Sequence, residues 1–296
     1  MNARIGFMGL GNMGGRMARR LVDAGFEVVG YDPVPGTARR AGAQVASSIL
    51  QAVSGADHVL LSLPDSHVIE SVMLSNGGVI ESVVPGQIVV DLSTAAPAST
   101  QMLHKRLAER GVQLLDVGIS GGAAAAEKGT LTLMVGGSEQ ALDQVRSTLE
   151  PLSAAVHWMG DSGAGHSTKL LNNFLNAVNL AASSEVMVAA KKAGLDIEQV
   201  LRVINASSGA NWATEHRFPS IVKGDYLEGG LTSRLMLKDV VLYLEHLLEI
   251  GAPTLNSAGP VAAFGLAIHN GYGDAISNRV VDAIGDLAGG IRLHDD

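Results

Sequence analysis

Short apolar runs alternate with helix-period stretches through the first half of the chain, and then the runs stop. Strand candidates are Arg4–Gly9, Glu27–Asp32, Asp57–Leu63, Gln87–Leu92, Gln113–Val117, Thr130–Val135 and Val156–Met159. Amphipathic stretches lie between several of them: Met13–Ala24, Ser66–Met73, Pro97–Arg110 and Ser138–Leu149. A strand covered by helices on both faces has no polar side, so unbroken apolar runs separated by helices predict buried parallel strands joined by crossovers. The expected fold class is α/β, a Rossmann-type doubly wound parallel sheet ending near residue 161, followed by an all-α domain. After Gly163 only helical periods remain: Ser167–Ala193, Ile197–Asn205, Met236–Gly251, Ala258–Asn270 and Asp274–Leu287. Gly194, Gly251 and Gly271 fall where helix C-termini are expected. The predicted domains are 1–161 and 162–296, with Asp161-Ser162-Gly163-Ala164-Gly165 as a hinge and Asp295-Asp296 as a frayed end.

Composition narrows the function. Lys and Arg number 21 against 29 Asp and Glu, a net charge of −8, which disfavours a nucleic-acid backbone as partner. The absence of cysteine removes disulfides, thiolate metal sites and cysteine nucleophiles, and fits a reducing compartment. Nowhere do about 18 apolar residues run together, so no membrane span is expected. Met1-Asn2-Ala3-Arg4 leads straight into strand-like sequence, and the expectation is a cytoplasmic protein. The nine histidines show no ligand spacing, and H-E-x-x-H, G-x-S-x-G and P-loop motifs are all missing, so no metal is expected. There are 36 glycines in 296 residues, well above the usual share of about 7%. With no collagen period, that excess should mark close backbone approaches.

The strongest local motif is Gly9-Leu10-Gly11-Asn12-Met13-Gly14, directly after a strand and at the mouth of a helix. Gly9 permits the tight turn, Gly11 admits a pyrophosphate to the backbone, and Gly14 lets helix and strand pack closely. The phosphates would sit at the positive end of the following helix. Asp32 closes the next strand, where its carboxylate can accept hydrogen bonds from a ribose diol and repels a 2′-phosphate. Arg39 and Arg40 come a turn or two later, so NAD is favoured over NADP. Leu63 and Pro64, with Thr94 after the following strand, leave the carboxyl ends of strands and should border the nicotinamide.

Asp116-Val117-Gly118-Ile119-Ser120-Gly121-Gly122-Ala123 forms a second glycine cluster. A serine followed by two glycines can turn several N–H groups and a hydroxyl into one concavity that suits a carboxylate. Taken alone, the stretch reads more readily as a flexible loop. The helix opening at Ser167 carries Lys169, Asn172, Asn173, Asn176 and Asn179. Asparagine is about 0.6–0.7 kcal/mol worse than alanine inside a helix, so this density needs a reason beyond propensity. Lys169 and Asn173 are i,i+4 and share a face that should line a cleft, with Leu170, Leu171, Phe174, Ala177, Val178 and Ala181 as its packed remainder and Ala181–Ala190 buried. A lysine in such a place serves as general acid or base if burial brings its reference value of about 10.4 toward neutrality. His166 reads as a cap or surface residue. Trp212 either borders the pocket or packs in the core. Arg217 and Arg234 either bind a second substrate anion or solvate a helix.

These motifs in this order resemble the β-hydroxyacid dehydrogenase family, whose members include 3-hydroxyisobutyrate dehydrogenases and tartronate semialdehyde reductases. The resemblance spans essentially the whole chain. The family's D-x-P-V-S-G-G-x-x-x-A-x-x-G-T-L loop is matched by Asp116 through Leu131, which implies Ser120, Gly121 and Gly122 as substrate-binding residues. Its G-x-x-x-K-x-x-N-N motif is met by Gly165, Lys169, Asn172 and Asn173, implying Lys169 as the catalytic residue and Asn173 as a substrate contact. The later K-D pair is Lys238-Asp239, with Lys238 implied near the cofactor and Asp239 with the substrate. Two positions depart from the family pattern: its loop proline is Gly118, expected to loosen the loop, and an asparagine beyond the Leu-Pro pair is Val68.

The implied activity is reversible NAD-linked oxidation of a short 3-hydroxy acid to its 3-oxo acid or semialdehyde. Ser120, Gly121 and Gly122 would hold the carboxylate, Asn173 would orient the substrate, and Lys169 would exchange the hydroxyl proton. The family also implies assembly as a homodimer or homotetramer through the helical domain. Rival readings are a physiological semialdehyde reductase, an imine reductase, against which Lys169 tells, and a non-catalytic dinucleotide-binding module.

Overall fold

A computed structural model describes residues 3–294, so the frayed end expected at Asp295-Asp296 lies outside the described residues. The chain divides into two compact units, Met1–Lys169 and Leu170–Asp296.

The first unit is built on an eight-stranded sheet: β1 (Arg4–Met8), β2 (Glu27–Tyr31), β3 (Gln44–Val45), β4 (His58–Leu61), β5 (Ile88–Asp91), β6 (Gln113–Ser120), β7 (Leu131–Gly136) and β8 (Ser153–Gly160). The spatial order is β3-β2-β1-β4-β5-β6-β7-β8, the doubly wound arrangement. Successive residues of β1, β4 and β5 go to two separate cores. Ile5, Phe7, Leu60 and Val90 join Met17 and Leu21 on one face, while Met8, Val59, Leu61 and Val89 join Ile69, Met73 and Leu103 on the other. Burial on both faces is why these strands read as continuous apolar runs. The flanking helices are Asn12–Asp23, Ser66–Leu74, Pro97–Ala108 and Glu139–Leu149. β3 and the helices Thr37–Arg40, Ile49–Val53 and Val79–Ser82 escape a periodicity reading because each is too short to show a period.

One pairing differs from the all-parallel expectation. β7 runs antiparallel to β6, whereas the other neighbours are parallel. Only residues 121–130 join β6 to β7, too few for the return across the sheet that parallel neighbours need. This pairing also lengthens β6. Met8, Tyr31, Leu61, Asp91 and Asp116 stand level across the sheet. Beyond that line β6 continues to Ser120, paired with β7 as far as Thr132. Ser120 therefore stands about 13 Å beyond the edge where the glycine loop, Asp32, Leu63 and Thr94 emerge.

The second unit is helical. It holds most of the long helix Ala164–Lys192, then Ile197–Asn205, Trp212–His216, Phe218–Ile221, Ser233–Ile250, Ala258–Ala267 and Val280–Leu287. Among the described residues its strand-like feature is a single bridge between Thr232 and Ile276. Gly194 and Gly251 close helices in left-handed conformation, with φ of 76° and 71°. Gly271 instead lies within the wide turn Ile268–Tyr272.

The long helix is less uniformly packed than its sequence suggests. Phe174, Ala177, Ala181, Met187 and Val188 enter the core of the second unit, but Leu171, Leu175 and Val186 are exposed. Lys169 and Asn173 are buried instead. Of the two leucines expected to pack, Leu170 is buried and Leu171 faces outward.

Candidate active site

The three motif glycines answer to different constraints. Gly9 has φ of 83°, and a Cβ there would stand 2.3 Å from the Ser62 carbonyl oxygen. A Cβ on Gly14 would come within 2.0 Å of the Gly9 carbonyl oxygen, so helix and loop touch backbone to backbone. Gly11 has open space where its Cβ would be. It is also the N-cap of the helix Asn12–Asp23, no side chain caps that end, and its first turn carries no acid. An uncapped helix start beside an open glycine suits the pyrophosphate of a dinucleotide.

Asp32 ties this loop to β2. Its Oδ2 accepts the Leu10 N–H at 2.7 Å and its Oδ1 accepts the Val34 N–H at 2.8 Å. Each oxygen keeps acceptor capacity for a ribose hydroxyl. Arg40 folds back on the turn that follows Asp32, where a Cβ on Gly36 would lie 3.2 Å from its Nη1. Leu63 packs on the glycine turn, and its N–H donates to Ser93 Oγ at 2.9 Å. Pro64 is exposed and Thr94 half-buried at the same carboxyl edge.

After Ser120, Gly121 and Gly122 take φ of 127° and 69° and open a helix, Gly122–Lys128, so the stretch is not a flexible loop. Gly118 differs from expectation too. It sits inside β6 opposite Met134, where it does not loosen the chain. A Cβ at Gly118 would lie 2.6 Å from Lys169 Cβ and 3.0 Å from the Gly165 carbonyl oxygen. A Cβ at Gly165 would meet the carbonyl oxygens of Asp116 and Met134 at 2.2 and 2.5 Å. These two glycines let the start of the long helix press directly onto the sheet.

Asp116 holds that helix start in place. It is fully buried, and its two oxygens accept the N–H groups of Gly163 and His166, both at 2.8 Å. The expected hinge at residues 161–165 is therefore pinned, and its last two residues are helical. A carboxylate at a helix N-terminus satisfies free amides and the positive end of the dipole together. His166 is buried, so it is neither a surface residue nor the cap. Its Nδ1 lies 2.8 Å from Thr100 Oγ1, and its Nε2 has no partner among the described residues. Nearby, burial pushes the Asp91 carboxyl above its ordinary range, while His166 and the Ser93 hydrogen bonds pull it back. The motif by itself gives Asp116 no role. The signal for it was an acid in an otherwise apolar strand.

In the second unit three expected residues come together from two distant motifs. Asn173 Nδ2 donates to Asp239 Oδ2 at 2.5 Å, and Asn172 Nδ2 donates to Asn173 Oδ1 at 3.3 Å. Lys238 Nζ stands 3.0 Å from Asp239 Oδ1. Among the described residues that oxygen has no directed hydrogen bond, so the contact is an ion pair of poor angle. Trp212 is 54% exposed, which removes core packing as its role. Arg217 lies over its ring and is held by Asn176 and Asn278. Arg234 is exposed and pairs with Asp274. Two concavities of about 500 and 400 Å³ lie elsewhere, lined around Leu201 and Val222 and around Gln101 and Ser138, and include none of the expected site residues.

A doubly wound sheet with this glycine turn, followed by a helical unit, defines a dinucleotide-linked oxidoreductase. The family model for the NAD binding domain of 6-phosphogluconate dehydrogenase matches residues 4–160, and that for the NAD-binding domain of NADP-dependent 3-hydroxyisobutyrate dehydrogenase matches 163–284. The NAD-dependent L-serine dehydrogenase of Pseudomonas aeruginosa is 35% identical, covering 92% of this chain and 94% of that protein. The 2-(hydroxymethyl)glutarate dehydrogenase of Eubacterium barkeri is 34% identical over 84% of each. A Mycobacterium tuberculosis 3-hydroxyisobutyrate dehydrogenase structure with L-serine superposes with a TM-score of 0.87 at 30% identity, covering 95% and 98% of the two chains. The chain belongs to the β-hydroxyacid dehydrogenase family, enzymes that act on CH–OH groups with a nicotinamide cofactor.

Proposed function

We propose that this enzyme catalyses reversible NAD-dependent oxidation of a short 3-hydroxy acid, with Lys169 as general acid and base. The observation carrying this reading is Lys169 itself, 8% exposed on a helix whose start is locked by Asp116. Such a lysine has little freedom to move, so its amine is held ready for one proton. In oxidation the neutral amine takes the hydroxyl proton, and in reduction the ammonium returns it. Ser120, Gly121 and Gly122 hold the substrate carboxylate, Asn173 orients the substrate, and Asp239 fixes the Asn173 amide. The bound nicotinamide supplies the two-electron redox chemistry.

Asp32 supports NAD over NADP, because a 2′-phosphate would approach a carboxylate. Arg40 is the cation that would argue the other way. No described helix is long and apolar enough to cross a membrane; with the lack of cysteine, this supports a cytoplasmic enzyme. Exposed Leu171, Leu175, Leu248 and Leu287 support a homodimer or homotetramer formed through the helical part, residues 162–296. A panel of 3-hydroxy acids and semialdehydes with NAD and NADP, followed at 340 nm, tests the reading. Turnover of hydroxy acids with NAD is expected; activity confined to cyclic imines would overturn it.

A further inference from the structure

Asn173 and Asn176 lie one turn apart on one face of the long helix, and each meets a charged side chain. Asn173 holds Asp239. Asn176 Oδ1 accepts from Arg217 Nη2 at 3.1 Å, and Asn278 Oδ1 accepts from Nη1 at 2.7 Å. No carboxylate among the described residues pairs with this guanidinium. The contrast with its neighbours in the same unit is plain, since Arg279 pairs with Asp282 and Glu228, and Arg292 with Asp282 and Asp286.

Arg217 is therefore a half-buried cation held by neutral oxygens. Burial pulls it down to about 10, with no acid acting in the other direction, and at neutral pH it keeps its charge. Two amide oxygens orient the fork without neutralising it, and three of its five N–H donors are left for another acceptor. Beneath it lies the Trp212 ring, whose centroid is 5.1 Å from the guanidinium carbon. Trp212 opens a short helix fixed by the Asn211–Thr214 capping box, and stacks on His216. An exposed tryptophan braced in this way serves as a platform, because it contributes little to the core.

We propose that Arg217 receives a second carboxylate on the substrate, making the enzyme selective for 3-hydroxy acids that carry a distal acid group. The proposal rests on the dehydrogenase reading above. 2-(Hydroxymethyl)glutarate carries a distal carboxylate of this kind. That acid and 3-hydroxyisobutyrate form a matched pair. Both carry a hydroxymethyl group beside a carboxylate, and they differ by a carboxyethyl group in place of a methyl.

The test compares kcat/KM for this pair in the wild type, R217K and R217M, with calorimetric titration of glutarate into each NAD-loaded protein. Thermal melts confirm that the variants fold. The wild type should prefer the dicarboxylate. R217M should lose roughly 10- to 100-fold on it, with little change on 3-hydroxyisobutyrate, and should bind glutarate correspondingly more weakly. R217K should fall between, keeping the charge without the fork. Equal losses on both substrates, no wild-type preference, or glutarate binding that survives in R217M would overturn the proposal. If the wild type oxidises no 3-hydroxy acid at all, the dehydrogenase reading fails. The glutarate titration then decides the anion site by itself, supporting it if R217M loses binding and overturning it if binding is unchanged.

Discussion

Asp116 and Asp239 are equally secluded carboxylates, 0% and 2% exposed, held in opposite ways. Both oxygens of Asp116 accept backbone N–H groups at the start of a helix. Asp239 is held by side chains, the Asn173 amide and the Lys238 ammonium. A backbone N–H cannot leave without unwinding its turn, whereas an amide or ammonium can rotate and exchange its partner for a ligand. The first unit thus uses a buried charge as a fixture, and the second keeps its charges able to respond. Arg217 follows the second pattern, with two asparagine oxygens and no acid. Burial alone does not separate structural from functional charges; the kind of partner does.

The largest expected effect lies at the point that the fixture serves. Lys169→Ala should lower kcat about a thousandfold, near 4 kcal/mol of barrier, with NAD binding nearly intact by titration. In the wild type, oxidation should accelerate toward alkaline pH and reduction should slow, because the first needs the amine and the second the ammonium; flat pH profiles would remove the assignment. Next, Asp116→Asn should cost about 3 kcal/mol in urea unfolding, since the amide oxygen can take one N–H group while the amide nitrogen cannot accept the other. Asp239→Asn should change kcat/KM far more than stability. Equal unfolding penalties for the two variants would break the distinction drawn above.

Gly118→Ala should cost about 2 kcal/mol and lower kcat, because the new methyl needs the space of Lys169 Cβ. A variant as active and stable as the wild type would show that the helix can retreat freely. The smallest effect is expected at the cofactor. Asp32→Ser should raise KM for NAD about tenfold, equivalent to about 1.4 kcal/mol, and improve use of NADP. Unchanged cofactor selectivity would transfer that role to Arg40.

Much of this enzyme was legible before folding was considered. Period and polarity located β1, β2, β4 and β5 within a residue or two, because strands buried on both faces must be apolar throughout. The glycine turn and Asp32 were readable because backbone geometry there is local: a tight turn, a helix start and a strand end lie within one βαβ unit. The asparagines of the long helix were conspicuous because they contradict helix propensity.

Other features depended on residues far apart in the chain. The antiparallel β7 and the outward reach of Ser120 come from strand pairing, which no single segment encodes. Gly118 reads as a loosened loop in sequence, yet in three dimensions it is the floor against which Lys169 packs. Asp116 meets His166 across 50 residues, and Arg217 meets Asn176 and Asn278 across 41 and 61. Periodicity reports which side of an element is apolar. It carries no information about which distant partner satisfies a buried charge, because that choice is made by packing.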